Sequence, residues 1–372
     1  MSVVFFSAGE SSGDLHGANL IEALREADVG LEFEGLGGGK MSAAGMRLIE
    51  DVAGRGIMGF WEVVKSFGWI RRVFVETVRR LEEARPACLV VIDYPGFNIR
   101  LARAARGLGI PVVYYVSPQV WAWRKGRIHT IAELVDKMLV ILPFEEALYR
   151  ALGVDCAYVG HPLLDEVARF RPRGLFKGDC VIGLLPGSRE QEIGRLMGPM
   201  VEVARGIRER HPGARFVVPC VDAQREAQIR ALAGEFKLET VVGQAYEVLS
   251  GSRFCLVASG TATLETAIFG VPMAIVYRTA PLNYWIARHV VKIKHIGLVN
   301  ILAGREIVPE FIQGRATAGE ILPHALELID ETPRRKQMVE DLRALRAGLG
   351  EPGASKRAAS EILAVVRGAG HG

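Results

Sequence analysis

Asp93 closes the apolar run Leu89-Val90-Val91-Ile92 and is followed by Tyr94-Pro95-Gly96-Phe97-Asn98. A carboxylate at the end of an apolar strand stands at the rim of a ligand cleft, where partial burial raises its pKa toward that of a general base. The plainer alternative is an Asp that holds the amides of the next helix.

Four more loops of similar character follow apolar runs. Gly9-Glu10-Ser11-Ser12-Gly13-Asp14 offers glycines for close backbone approach and the polar side chains Glu10 and Ser12. It reads equally as an ordinary turn with Asp14 as the helix N-cap. Tyr114-Tyr115-Val116-Ser117-Pro118-Gln119-Val120-Trp121-Ala122-Trp123-Arg124-Lys125 carries two tryptophans, Gln119 and the adjacent cations Arg124 and Lys125. That company suits a sugar face beside a phosphate, although Trp121 and Trp123 alone would be core anchors.

In Leu185-Pro186-Gly187-Ser188-Arg189-Glu190-Gln191, Ser188 and Gln191 have capping-box spacing. Arg189 then falls in the first helical turn, where a cation opposes the helix dipole unless an anion binds. In Ala258-Ser259-Gly260-Thr261-Ala262-Thr263-Leu264-Glu265, small hydroxyls and a glycine leave a helix N-terminus open to a diphosphate. Glu265, one turn further in, either accepts two hydrogen bonds from a ribose diol or simply complements the dipole.

Absent patterns narrow the chemistry. The chain has no G-x-x-x-x-G-K-[ST], G-x-S-x-G, H-E-x-x-H or Cys/His cluster, and Gly35-Leu36-Gly37-Gly38-Gly39 meets Lys40 where a third dinucleotide-fingerprint glycine would stand. No metal site and no cofactor are expected, and a diphosphate cradle without Lys or paired acids would work without magnesium. Five scattered cysteines, with no C-x-x-C, read as reduced core thiols.

The elements that must carry these loops follow a strand–turn–helix rhythm. Strands are expected near Val3–Ser7, Phe33–Gly37, Ala87–Asp93, Pro111–Val116, Lys137–Ile141 and Cys156–Val159. After the charged stretch Phe170-Arg171-Pro172-Arg173-Gly174, which looks like a linker, they resume at Val181–Leu185, Arg215–Pro219, Leu238–Val242, Phe254–Val257 and Val271–Tyr277. Strands alternating with helices imply parallel sheets covered on both faces. The expected architecture is α/β, with two doubly wound, Rossmann-like domains facing across a cleft. Such sheets bind ligands at the carboxyl ends of their strands.

Composition supports this: 372 residues, 49% hydrophobic and 24% charged, is a globular balance with room for two domains. A net charge of +4 implies no global field for nucleic acid. Mean hydropathy is +0.20, yet the longest charge-free stretch, Gly107 to Trp123, contains Pro111, Ser117 and Pro118 and is too short for a membrane span. The N-terminus, Met1-Ser2-Val3-Val4-Phe5-Phe6-Ser7, lacks a basic n-region and a cleavage site, so a cytoplasmic location is expected.

The segment from Gly56 to Phe74 has more apolar surface than one helical stripe needs. Phe60, Val63, Val64 and Phe67 fit one stripe, which Ile70, Phe74, Val78 and Leu81 continue. Trp61 and Trp69 lie off it beside Arg71, Arg72, Arg79 and Arg80, a pattern that serves interfacial membrane binding or, equally, a core or dimer helix.

Taken in order, G-E-S-S-G-D-L-H-G-A, I-M-G-F-W-E-V, I-D-Y-P-G-F-N, Y-Y-V-S-P-Q-V-W-A-W-R, L-P-F-E, V-G-H-P-L, L-L-P-G-S-R-x-x-E-I, A-S-G-T-A-T-L-E and N-I-L-A-G-R-E resemble the lipid A disaccharide synthase family. The resemblance runs from Gly9 to Glu306, and the tryptophan loop is its most specific part. It implies a GT-B fold and an inverting, metal-independent glycosyl transfer from UDP-2,3-diacylglucosamine to 2,3-diacylglucosamine 1-phosphate. Residues 1–168 would bind the acceptor and associate with the membrane, 175–345 would bind the UDP-sugar, and a helix in 346–372 would pack back on the first domain.

By that match Asp93 is the base, while Ser188, Arg189, Ser259, Gly260, Thr261, Glu265 and Asn300 hold the donor. Glu10, Ser12, Asn98, Gln119, Trp123, Arg124 and Lys125 lie on the acceptor side. Trp61, Phe67, Trp69, Arg71 and Arg72 would touch the cytoplasmic leaflet of the inner membrane, and a homodimer is possible. Many family members carry a second Asp where this chain has Gly96, which leaves Asp93 as the only carboxylate of its loop. The rival readings are another GT-B enzyme acting on a UDP-N-acetylhexosamine and a non-catalytic nucleotide-sugar-binding protein.

Overall fold

The computed structural model describes residues 2–55, 67–118, 126–176, 178, 180–280, 284 and 294–369. The chain divides into two units, Met1–Asp165 with Glu351–Gly372, and Glu166–Gly350. Each is a parallel α/β sheet with its own core.

In the first unit β1 (Ser2–Ala8), β2 (Leu31–Gly37), β3 (Arg47–Asp51), β4 (Cys88–Ile92), β5 (Val112–Tyr115), β6 (Lys137–Val140) and β7 (Cys156–Tyr158) are ordered β3-β2-β1-β4-β5-β6-β7. All the pairings are parallel. β4 is buried along its whole length and β1 from Val4 onward, because helices cover both faces of the sheet. The sheet reverses direction between β1 and β4, where Ala8 stands beside Ile92. Loops diverge at such a switch point and leave a crevice beyond the strand ends.

The second unit repeats the plan with β8 (Val181–Leu185), β9 (Arg215–Cys220), β10 (Glu239–Val242), β11 (Phe254–Ala258), β12 (Met273–Tyr277) and β13 (Glu310–Ile312), ordered β10-β9-β8-β11-β12-β13. Its switch point lies between the wholly buried β8 and β11, where Val257 stands beside Leu185.

Eleven strands lie where the apolar runs predict them, and β3 and β13 are additional. β3 is the edge sequence Arg-Leu-Ile-Glu-Asp with no fully buried residue, and β13 is three residues long at the opposite kind of edge, so neither carries a core-strand pattern.

The expected linker is corrected. Phe170 packs edge-on against Tyr246 and Phe269, and the Arg173 backbone N–H donates to Glu247 Oε1 at 2.8 Å, so this stretch belongs to the second unit. The last helix, Ala354–Ala369, packs on the Ser11–Ala27 helix within the first unit. The Asp165 carboxylate accepts from the backbone N–H groups of Gly353, Ala354 and Ser355 and from the Ser355 hydroxyl, which caps that helix.

Candidate active site

Both switch points carry the loops that the sequence marks for chemistry. In the first unit, the loops after β1 and β4 meet so closely that a Cβ on Gly9 would overlap the Tyr94 ring. Asp93 and Tyr94 both adopt left-handed backbone conformations, φ 44° and 47°. Left-handed conformations at consecutive non-glycine residues are costly, and they persist only where surrounding structure imposes them.

The clamp is visible. The Asp93 carbonyl accepts the Tyr114 hydroxyl at 2.8 Å and Asn98 Nδ2 at 2.8 Å. Asn98 Nδ2 also faces the carbonyls of Ile92 (3.1 Å) and Ser7 (3.3 Å), while Asn98 Oδ1 accepts the Ser7 hydroxyl at 2.7 Å. Asn98 is completely buried. It is therefore a bracket beneath the loop, and the expectation that it faces an acceptor is corrected.

Burial, then the nearby charge of Glu10, pushes the Asp93 carboxyl up to about 7, against a smaller lowering by the Tyr94 backbone N–H. A group that titrates there both accepts and releases a proton near neutrality. Two histidines of the same unit do not titrate near neutrality. Burial and then Lys40 lower His16 to about 4, and burial and then His16 lower His161 to about 3, so both rings stay neutral.

Glu10 is the N-cap residue of the Ser11–Ala27 helix, makes no side-chain cap bond and is half-buried, while Ser12 is exposed in its first turn. Asp14 is no N-cap. It is buried, and its carboxylate accepts from the backbone N–H groups of Gly38 (2.8 Å), Met41 (3.0 Å) and Lys40 (3.1 Å), fixing the turn after β2. Gln119, Trp123, Arg124 and Lys125, like Trp61, lie outside the described residues.

The second switch point is of a different kind. The Ser188–Gln191 capping box does not form. Arg189 is itself the N-cap residue of the Glu190–Arg210 helix, without a side-chain cap bond, and Ser188 is exposed. Arg189 Nη1 donates to Glu192 Oε1 at 2.8 Å, and left-handed Gly187 (φ 101°) makes room for that glutamate, since a Cβ there would overlap it. Gly260 is the N-cap residue of the Thr261–Ile268 helix, again with no side-chain cap bond. The two helices after adjacent strands β8 and β11 thus both present backbone N–H groups that no cap side chain covers, as anion sites do.

Ser259 is tied into the fold: its N–H donates to the Val276 carbonyl (3.3 Å) and its hydroxyl to the Ile296 carbonyl (3.2 Å). Gly260 and Thr261 are the exposed part of that loop. Glu265 accepts the Tyr246 hydroxyl at 3.2 Å, and burial, then the Glu166 charge, raises its carboxyl above the ordinary value.

Asn300 is corrected as a direct donor contact. It is fully buried, and Nδ2 donates to the Val308 carbonyl and Glu310 Oε1 (both 2.8 Å) while Oδ1 accepts the N–H groups of Ile307 and Val308. Glu310 also accepts from the Ile296 and Gly297 N–H groups, so Asn300 and Glu310 brace the segment on which Ser259 rests.

On the Phe67–Ala84 helix, Val73, Thr77 and Leu81 are buried, and Ile70, Phe74 and Val78 pack on the same core. Trp69 also packs there, with the Arg55 guanidinium 4.6 Å from its ring centroid, so its assignment as a membrane contact is corrected. Phe67, the first residue of the helix, is 60% exposed although it lies on the core stripe, and Val75 (59%) is exposed beside Arg71 and Arg72. Arg79 and Arg80 pair with Glu76, Glu83 and Glu34. Among the described residues no helix is long and apolar enough to cross a membrane, and no three His, Cys, Asp or Glu side chains form a metal-binding group.

Two doubly wound parallel-sheet units define the GT-B architecture of nucleotide-sugar enzymes. A UDP-N-acetylglucosamine 2-epimerase from Neisseria meningitidis bound to UDP-GlcNAc matches 97% of this chain and 99% of its own, with a TM-score of 0.64 at 14% identity. The calicheamicin glycosyltransferase CalG4 matches 99% and 98%, with a TM-score of 0.60 at 15% identity. These likenesses establish the fold.

The family follows from sequence. The profile of lipid-A-disaccharide synthetase matches residues 4–364. The lipid-A-disaccharide synthase of Syntrophus aciditrophicus is 42% identical over 375 residues, covering 98% of both chains, and that of Myxococcus xanthus is 40% identical over 368 residues, covering 96% of both. The chain belongs to the lipid-A-disaccharide synthetase family, within the glycosyltransferases of lipid A biosynthesis.

Proposed function

We propose that the chain transfers 2,3-diacylglucosamine from UDP to the 6-hydroxyl of 2,3-diacylglucosamine 1-phosphate, with inversion and without a metal ion. The products are the β-1,6-linked tetraacyl disaccharide 1-phosphate and UDP. The observation that carries this reading is Asp93, a carboxyl brought to about 7 at the first switch point.

Asp93 takes the proton of the acceptor 6-hydroxyl as that oxygen bonds to the anomeric carbon of the donor. The bond from that carbon to the diphosphate oxygen breaks, and its electron pair leaves with UDP. A single displacement of this kind inverts the anomeric centre. The charge that develops on the diphosphate meets Arg189 and the open N-termini of the Glu190–Arg210 and Thr261–Ile268 helices. Glu265 accepts hydrogen bonds from the ribose, with Tyr246 occupying part of its acceptor capacity.

Phe67, Val75, Arg71 and Arg72 face the anionic cytoplasmic leaflet, where the acylated sugars reside. Sedimentation with anionic liposomes tests this, and binding that survives Phe67→Ser with Arg71→Ser and Arg72→Ser contradicts it.

Mass spectrometry of a reaction containing both acylated sugars in detergent micelles tests the transfer itself. The expected product is the disaccharide 1-phosphate with one UDP released per linkage. Rapid C2 inversion of UDP-GlcNAc, with no disaccharide formed, would instead favour an epimerase.

A further inference from the structure

We infer that Tyr114 and Asn98 are positioning residues for the base: together they hold the peptide that follows Asp93 in the left-handed turn that seats its carboxyl. The inference rests on the reading of Asp93 as the base. That peptide joins two consecutive residues at positive φ, 44° and 47°, and its carbonyl receives both the Tyr114 hydroxyl and Asn98 Nδ2 at 2.8 Å.

The two donors come from different elements. Tyr114 lies on β5, level with Val91 of β4, and Asn98 lies in the first turn of the Pro95–Gly107 helix. Asn98 is oriented in turn by the Ser7 hydroxyl on β1 (2.7 Å). β5 directly, and β1 through Asn98, thus hold the carbonyl that follows β4, the three strands being adjacent in the sheet.

A β-turn of ordinary sequence needs no such convergence. Tyr94 precedes Pro95, which disfavours the right-handed helical region for Tyr94. Asp93 and Tyr94 keep their conformation because the carbonyl between them is held from two sides. Burial raises the Tyr114 phenol well above its ordinary value, so it remains a donor throughout the working pH range. Freed from this clamp, the Asp93 carboxyl would relax toward solvent, losing both its position and the burial that raises its pKa.

Tyr114→Phe tests this, because it keeps the buried ring and removes one donor. Turnover of the two acylated sugars in micelles is measured against pH, together with KM, UDP affinity and Tm. The expected result is a roughly ten-fold fall in kcat, KM and UDP affinity within about two-fold of the native protein, and an acid limb moved to lower pH. Ser7→Ala, which frees Asn98 Oδ1, moves kcat and the limb in the same direction by less, and it serves as the readout if Tyr114→Phe does not fold.

A lower Tm with kcat and acid limb unchanged would show that the tyrosine merely fills and satisfies the core, and would overturn the inference. Asp93→Asn, assayed alongside, separates the two claims. If it is inactive while Tyr114→Phe and Ser7→Ala behave like the native protein, only the positioning role fails. If it retains full turnover, the base reading fails and the positioning role falls with it.

Discussion

Asp93 and Ser259 hold the same topological place, each being the first residue beyond the strand at which its sheet reverses. Around Asp93 the protein places a carboxyl in a buried setting, bends two consecutive residues into the left-handed region and clamps the peptide between them. Around Ser259 no non-glycine residue has positive φ, and the serine is tied to neighbouring carbonyls while the Gly260–Thr261 turn stays exposed. On the proposed function, one switch point holds a proton at a fixed spot and the other receives negative charge on backbone amides. The same fold thus supports opposite electrostatic tasks through the loops alone, which fits a transfer reaction in which one group loses a proton and another leaves as an anion.

The comparison breaks most easily at Asp93. Asp93→Asn should lower kcat by about 10²–10⁴-fold while UDP affinity, measured by calorimetry, stays within about two-fold. An equal loss of both would mean that the two switch points do not divide the work.

The same substitution has a second expected effect, on stability. The folded chain holds the Asp93 proton up to about pH 7, whereas the free carboxyl releases it near 3.8. The folded state therefore binds more protons through that window, and its stability falls as pH rises from about 4 to about 7. Asp93→Asn removes this penalty, and denaturant titration should show it more stable than the native protein at pH 8 by on the order of 2–4 kcal/mol. The excess should shrink to what Asn contributes by tolerating left-handed φ when both are compared at pH 4. A pH-independent difference would mean that the carboxyl is not buried as described.

At the second switch point the expected effect is smaller and opposite in kind. Arg189→Ala should weaken UDP binding by about 10–100-fold and leave the pH of the acid limb unmoved. A shifted limb with unchanged UDP affinity would reverse the assignment.

Much of this was legible in the sequence because buried parallel strands are short apolar runs, and because five of those runs ended in loops of unusual polarity. Two edge strands were not, since β3 has no buried residue and β13 is only three residues long with the polar Glu310 in it, so neither makes an apolar run. The site residues divide by a subtler rule. Asp93, Arg189 and the Gly260–Thr261 turn keep groups exposed or titratable, whereas Asn98, Asn300 and Asp14 spend their polar atoms on bonds within the fold, mostly to backbone groups of nearby or neighbouring loops. An asparagine in a loop looks the same in sequence whether its amide meets a ligand or a carbonyl, because the distinction depends on which carbonyls other strands bring near.

Trp69 carries the same lesson for the surface: helical phase put it off the apolar stripe, yet it packs on the core beneath Arg55. Tyr114 opens the tryptophan-bearing segment, yet nothing in the sequence marks it as a partner of Asp93. It reads as one more aromatic in a core strand, and its part becomes visible only when β5 pairs with β4.

Whether the half-buried Asp93 at the first switch point is the base can be read from the pH dependence of kcat/KM for the two acylated sugars. Activity should rise with pH through a single ionisation near 7, and that acid limb should be absent from the residual activity of Asp93→Asn. A limb near 4, or one near 7 that persists in Asp93→Asn, would contradict it.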